Sequence, residues 1–155
     1  MKTGPLAPTS GLTDHTGYWM RMVSNAVSQE FARKVAGEGV TVAEWAFMRT
    51  LLDLEPTAPS ALAERMGMTR GAISKLSERL VAKGLVEREE SAHDRRAHSL
   101  SLTAAGRKKV PVLAALADEN DAGFFSVLTM REHQALGRIL KALAERRGLK
   151  TTPVD

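Results

Sequence analysis

The chain has no cysteine among its 155 residues. That excludes a disulfide framework, a thiolate-held zinc or iron–sulfur centre, and a thiol-based peroxide sensor. It also has no apolar run long enough to cross a bilayer, and its first residues, M-K-T-G-P-L-A-P-T-S-G-L-T, lack the apolar stretch of a secretory signal. A cytoplasmic location with no membrane partner is expected, and a reducing compartment fits. Catalytic patterns are missing too. His15, His93, His98 and His133 are scattered without ligand spacing. There is no Gly-rich phosphate loop, no defensible Ser–His–Asp order and no carboxylate pair placed for acid–base work. No catalytic residue, metal site or cofactor is therefore expected. Internal repeats and low-complexity segments are absent as well. A chain that is 43% apolar and 26% charged can bury one core, so a single domain over residues 13–155 is expected.

What is present is a modest positive charge, formally +4, unevenly placed. Residues 1–57 hold five basic against six acidic side chains, whereas residues 69–83 hold Arg70, Lys75, Arg79 and Lys83 against Glu78 alone. A cationic cluster of this kind favours an anionic partner.

Residues 1–12, rich in Gly, Pro, Ser and Thr, read as a flexible arm. Thr13 or Asp14 can cap a first helix to about Ala36, with Trp19, Val23, Val27 and Phe31 recurring every four residues. Thr41 caps a second helix to about Leu54, in which Trp45, Met48, Leu51 and Leu52 are expected to face inward. Residues 58–84 read as two helices broken at Gly67, which can take the left-handed turn, with Thr69 capping the second and Gly84 closing it. Leu85 to Glu90 and His98 to Leu102 read as the strands of a hairpin, with Ser91 to Ala97 at its tip. Two helices follow. The first runs to about Val127 with Pro111 as a kink, and the second is opened by a Thr129–Glu132 capping box and ended at Gly148. The fold class is mainly α with a small β-hairpin (α+β).

Helix, tight turn, basic helix and a hairpin with Arg95 and Arg96 at its tip describe a winged helix-turn-helix, which places a helix in the major groove of double-stranded DNA. This lobe spans residues 41–103. The helices of residues 13–38 and 104–148 carry apolar stripes the lobe does not need. They are expected to bury them against the same elements of a second copy. A two-fold homodimer would present two recognition helices to successive major grooves, about 34 Å apart, and would match a pseudo-palindromic operator.

Over Gly17 to Gly148 the chain resembles the MarR family of transcriptional regulators. The likeness rests on Thr41-Val-Ala-Glu-Trp45 and Leu51, on Leu62-Ala63-Glu64-Arg65-Met66-Gly67, and on Gly84-Leu85-Val86-Glu87-Arg88. The wing signature adds Asp94, Arg96, Leu102 and Thr103, with Arg95, Leu100 and Gly106 beside them. Where the family often has Asp-Pro at the start of the wing turn, this chain has Ser91-Ala92. The resemblance implies that Arg96 reaches the minor groove or its phosphates and that Asp94 braces the arginine pair, consistent with the enhanced negative potential of a narrow minor groove. On the fourth helix, Arg70, Ser74 and Lys75 are placed for base edges, and Thr69, Ser77 and Arg79 for phosphates. Lys83 reads as a solvating charge.

The resemblance further implies a pocket between the dimer helices and the DNA-binding lobe for a small aromatic carboxylate or phenol whose binding releases the operator. His15, Tyr18, Trp19 and Met22 on the first helix and Trp45, Met48 and Arg49 on the second are its candidates. Trp and Met at helical spacing are usually core. Two other functions stay open: a winged-helix module that binds protein, which has no use for Arg95 and Arg96, and a DNA-binding protein without a ligand.

Overall fold

Four helices begin where a threonine side chain accepts from a backbone N–H three residues ahead. Thr41 accepts from Glu44, Thr69 from Ala72, Thr103 from Gly106 and Thr129 from Glu132. The computed structural model describes residues 4, 7–90 and 98–154. Its elements are α1 (Thr16–Ala36), α2 (Val42–Leu54), α3 (Pro59–Met66), α4 (Arg70–Ala82), β1 (Val86–Glu90), β2 (His98–Leu102), α5 (Ala104–Phe124) and α6 (Met130–Arg146). Short 3-10 turns cover Leu12–Asp14 and Phe125–Val127. The structure is mainly helical with one antiparallel hairpin, as expected.

The start of α1 departs from the sequence expectation. The Asp14 carboxylate accepts from Gly11 N–H, 2.8 Å behind it, and closes a 3-10 turn instead of opening a helix. The helix then starts at Thr16, with no side-chain cap from His15.

The winged lobe is organised by the core. Phe47, Met48 and Leu51 of α2, Leu62 and Met66 of α3, Ile73 and Leu80 of α4, and Leu100 and Leu102 of β2 are all fully buried together. Leu52, expected to face inward, is 38% exposed, because the apolar run Leu51-Leu52 places adjacent residues on different helix faces. Gly67 ends α3 at φ +63°, the left-handed turn that the helix-turn-helix requires. The hairpin pairs Val86 with Leu102 and Glu90 with His98, so residues 91–97 form the connection, outside the described residues. An isolated bridge outside this ladder joins β2 to the α2–α3 connection: Thr57 N–H donates to Leu100 C=O (3.2 Å) and Leu100 N–H to Thr57 C=O (2.8 Å). Glu55 ties the hairpin base to α5, accepting from Leu102 N–H at 2.8 Å and from Arg107 Nε at 2.9 Å.

The long helices behave differently. Helix α5 runs through Pro111 without stopping, with Val110 and Leu113 buried on either side. It is pinned to α1 by buried Asn120, whose Oδ1 accepts from Lys34 Nζ (2.9 Å) and whose Nδ2 donates to Val27 C=O (3.2 Å). Helix α6 buries no residue in its own chain. Ile139, Leu140 and Leu143 are 60%, 45% and 47% exposed. Beyond α6 the tail returns to the winged lobe, where Thr152 N–H donates to Met66 C=O at 2.9 Å and Val154 packs against the core.

Candidate nucleic-acid interface

Helix α4 is divided by its periodicity. Ile73, Leu76, Ser77 and Leu80 are buried, while Thr69 and the side chains of Arg70, Ser74, Lys75, Glu78 and Arg79 are exposed. At its start, Thr69 Oγ accepts from Ala72 N–H at 3.1 Å, and a side chain at Gly71 would meet nothing within 4 Å. The N-terminal turn is thus an open, capped helix end with its amide dipoles and two cations facing solvent, a surface suited to an anionic groove. Among the described residues, neither Arg70 nor Lys75 takes part in an ion pair.

Two expected phosphate contacts take other places. Ser77 is 1% exposed, and its hydroxyl lies 3.4 Å from an Arg88 Nη of β1, inside the seam between α4 and the hairpin. It is a packing residue rather than a phosphate ligand, because position 77 falls on the Ile73–Leu80 side of the helix. Arg79 is half exposed, but its Nη2 donates to Glu44 Oε1 at 3.0 Å. Lys83, read as a solvating charge, also reaches that carboxylate, with Nζ 2.8 Å from Oε2, and donates to Gly39 C=O at 2.8 Å. Asp94, Arg95 and Arg96 lie outside the described residues.

Glu44 is the residue that sequence reasoning missed. Its position three after Thr41 completes a capping box on α2, a signal legible in the sequence. Its pairing with cations 35 and 39 positions later was not. Burial by itself pushes the Glu44 carboxyl up. The hydrogen bond from Lys83 and those from Thr41 together outweigh it and hold the carboxyl below the ordinary carboxylate value. A carboxyl depressed by folding stabilises the fold above its unfolded value, and that contribution is lost as pH falls through the folded value. Glu44→Gln should therefore lower stability at neutral pH by about 2 kcal/mol, the scale of a charged hydrogen bond, with the deficit shrinking toward acid. Urea melts across pH check this; a deficit that grows toward acid would show the sign to be wrong.

The ligand candidates divide similarly. His15 lies at the start of α1, with Nδ1 3.4 Å from Leu12 C=O and Nε2 3.5 Å from Ser10 Oγ. Trp19 Nε1 donates to Thr13 C=O at 3.0 Å, and its ring meets Tyr18 edge-on at 5.2 Å. Trp19 and Met22 are about half exposed, at 49% and 46%. On α2, Trp45 is half-buried against the core, and exposed Arg49 pairs with Asp53 at 2.9 Å. Met48 is fully buried among core leucines and drops out as a ligand contact. Two clefts of about 450 Å³ lie elsewhere. One is at Glu30, Arg33 and Lys34; the other, at the α5–α6 elbow, includes Asp121, Phe125 and His133.

Set beside known proteins, residues 38–97 match the model of the MarR family. A protein of Thauera aromatica described as a transcriptional regulatory protein for the hcr operon is 30% identical over 128 residues, covering 82% of this chain and 77% of that one. The chain belongs to the MarR family. It is a DNA-binding transcriptional regulator of the MarR type, not an enzyme. The fold agrees with two solved structures. A cysteine-substituted MarR from Escherichia coli in complex with operator DNA superposes with a TM-score of 0.72 at 23% identity, covering 82% of this chain and 91% of that one. BpsR of Bordetella bronchiseptica, whose structure addresses regulation of its DNA binding by 6-hydroxynicotinic acid, gives a TM-score of 0.76 at 19% identity over 88% and 98%. In this MarR-family chain the two-strand hairpin β1–β2 is the wing of the winged-helix fold. No helix among the described residues is long and apolar enough to cross a membrane.

Proposed function

We propose that the protein is a homodimeric repressor of a pseudo-palindromic operator, released by a small aromatic acid or phenol. The observation that carries the DNA half is the capped, open start of α4, with Arg70, Ser74 and Lys75 exposed and neither cation engaged in an ion pair among the described residues. Arg70 and Lys75 have the donor geometry for guanine edges, and Ser74 suits either base type. Thr69, besides capping, is positioned for a backbone phosphate. The wing would add Arg95 and Arg96 in or near the minor groove, braced by Asp94. Occupancy of the operator by such a dimer excludes polymerase, which is repression in its simplest form. Residues 13–38 and 104–148 would supply the dimer, and residues 41–103 the reading lobe.

Arg70→Ala should cost about 1 to 3 kcal/mol of operator binding and relax sequence preference at one position, while Arg96→Ala should weaken binding with little change in fold. Fluorescence anisotropy against operator and scrambled duplex measures both. Unchanged affinity in Arg96→Ala would remove the wing from the mechanism.

The ligand half is supported by half-exposed Trp19 and Met22 with Tyr18 and His15 beside them, and by Trp45 and Arg49 on the neighbouring helix. It gains support from BpsR, a fold neighbour whose DNA binding is linked to a pyridine carboxylic acid. A ligand favouring the DNA-incompetent arrangement must weaken DNA binding by the same differential affinity. In calorimetry, a hydroxybenzoate or pyridine carboxylate should bind, raise the melting temperature and release the operator, with His15→Ala or Trp19→Ala blunting each effect. If no member of such a panel binds, or binding leaves the operator complex intact, the protein is a ligand-independent repressor.

A further inference from the structure

Two of the four cations over residues 69–83, Arg79 on α4 and Lys83 at its C-terminal cap, are committed inside the protein. The Glu44 side chain is completely buried, and its Oε1 accepts from Arg79 Nη2 (3.0 Å), Lys83 Nζ (3.0 Å) and Thr41 N–H (3.2 Å). Its Oε2 lies 2.8 Å from the same ammonium. Lys75, Arg79 and Lys83 stand four residues apart, so the two held cations extend the stripe begun by Lys75 along one side of α4. They are 51% and 38% exposed, close enough to the surface to serve phosphates once released.

We propose that Glu44 is a specificity-determining residue acting through Arg79 and Lys83: its carboxylate keeps both cations on the α2 side of α4 and out of sequence-independent phosphate contact. This rests on the reading of α4 as the recognition helix. Each phosphate neutralised adds about 0.9 to the slope of log affinity against log salt, whatever the sequence. A genome offers about 10⁶ to 10⁹ competing non-specific sites, so added phosphate contacts tighten the competitor as much as the target. Withholding two cations limits that loss, while Arg70, Ser74 and Lys75 keep the readout. Glu44 also anchors the distal half of α4 to α2, holding the helix in one orientation while its proximal half meets the groove.

The test is a salt series of anisotropy titrations with a mixed-sequence duplex and with a duplex recovered from the protein's own genomic DNA. Arg79→Gln should leave the mixed-sequence slope at the wild-type value, since that charge is already matched internally. Glu44→Gln should steepen the slope by about 1 to 2 and lower the ratio of genomic-site to mixed-sequence affinity; Glu44→Gln combined with Arg79→Gln and Lys83→Gln should restore the slope. A slope reduced by about 1 in Arg79→Gln would place Arg79 on a phosphate and overturn the proposal, as would an unchanged slope in folded Glu44→Gln. If Glu44→Gln fails to fold, the Arg79→Gln slope alone decides. Loss of the recognition-helix reading is separable, because it would appear as unchanged genomic-site affinity in Arg70→Ala.

Discussion

Placing aspartate at Ile139, Leu140 and Leu143, or ending the chain after Val127, should yield a monomer that binds a palindromic duplex about 100-fold or more weakly than the intact protein. The argument starts from burial. These three side chains are between 45% and 60% exposed in one chain, and α6 buries no residue of its own. An aspartate there removes nothing from the monomer's core. Trp19, Met20 and Val23 of α1 are also between 42% and 49% exposed, and a run of exposed apolar side chains along a helix is the kind of surface that marks an interaction site. In the proposed homodimer a second copy would cover it by symmetry, and two linked reading heads would gain about 10² to 10⁴ in avidity over one. Light scattering with anisotropy measures both mass and affinity. Deletion after Val127 also removes the tail that caps Met66, so a chain ending at Leu149, which keeps α6, is the control and should remain a dimer. A dimer of unchanged mass in the aspartate variant would place the interface elsewhere.

Gly106→Ala should be the most damaging single methyl in the protein. A Cβ at this position would lie 2.2 Å from the backbone oxygen of Leu85 and 3.3 Å from Leu102 Cδ2. The Leu85 oxygen cannot retreat cheaply, since it accepts from Thr103 N–H at 3.1 Å and precedes β1 directly. Relief therefore requires α5 to move off the hairpin, disturbing fully buried Leu102 and the Thr103 cap on Gly106 N–H. Overpacking of a tight core costs about 1 to 3 kcal/mol and occasionally more. With backbone as the obstacle, the upper end or beyond is expected, a large part of the stability of a small domain. Thermal melts of wild type and variant decide it. The control is Gly71→Ala, where a Cβ meets nothing within 4 Å, and which should melt at or above the wild-type temperature because alanine is the better helix former. A Gly106→Ala melt within a degree or so of wild type would show that α5 does not sit this close.

Much of the architecture was legible because it is written in local chemistry. Threonine caps at Thr41, Thr69 and Thr129, left-handed glycines at Gly67 and Gly84, and helical spacing of Leu62, Ile73, Leu76 and Leu80 act over one or two turns. Each appears where the sequence placed it. The start of α1 was misread for an equally local reason, since Asp14 can bond backward to Gly11 as well as forward.

Side-chain commitments were less legible, because they depend on partners far away in the chain. Composition could count four cations over residues 69–83, but not that Arg79 and Lys83 converge on Glu44. Periodicity put Met48 on the inward face of α2, where it is buried, whereas Ser77 was assigned to phosphates by its hydroxyl although its position falls on the buried Ile73–Leu80 side. By itself, then, the sequence determined the family, the order of elements and the basic character of α4, all of which follow from short-range hydrogen bonding and apolar spacing. Only the tertiary structure decided which charges remain free for DNA and why position 106 is glycine. Both depend on distances between segments that are remote in sequence, and a buried carboxylate or a neighbouring carbonyl acts through space.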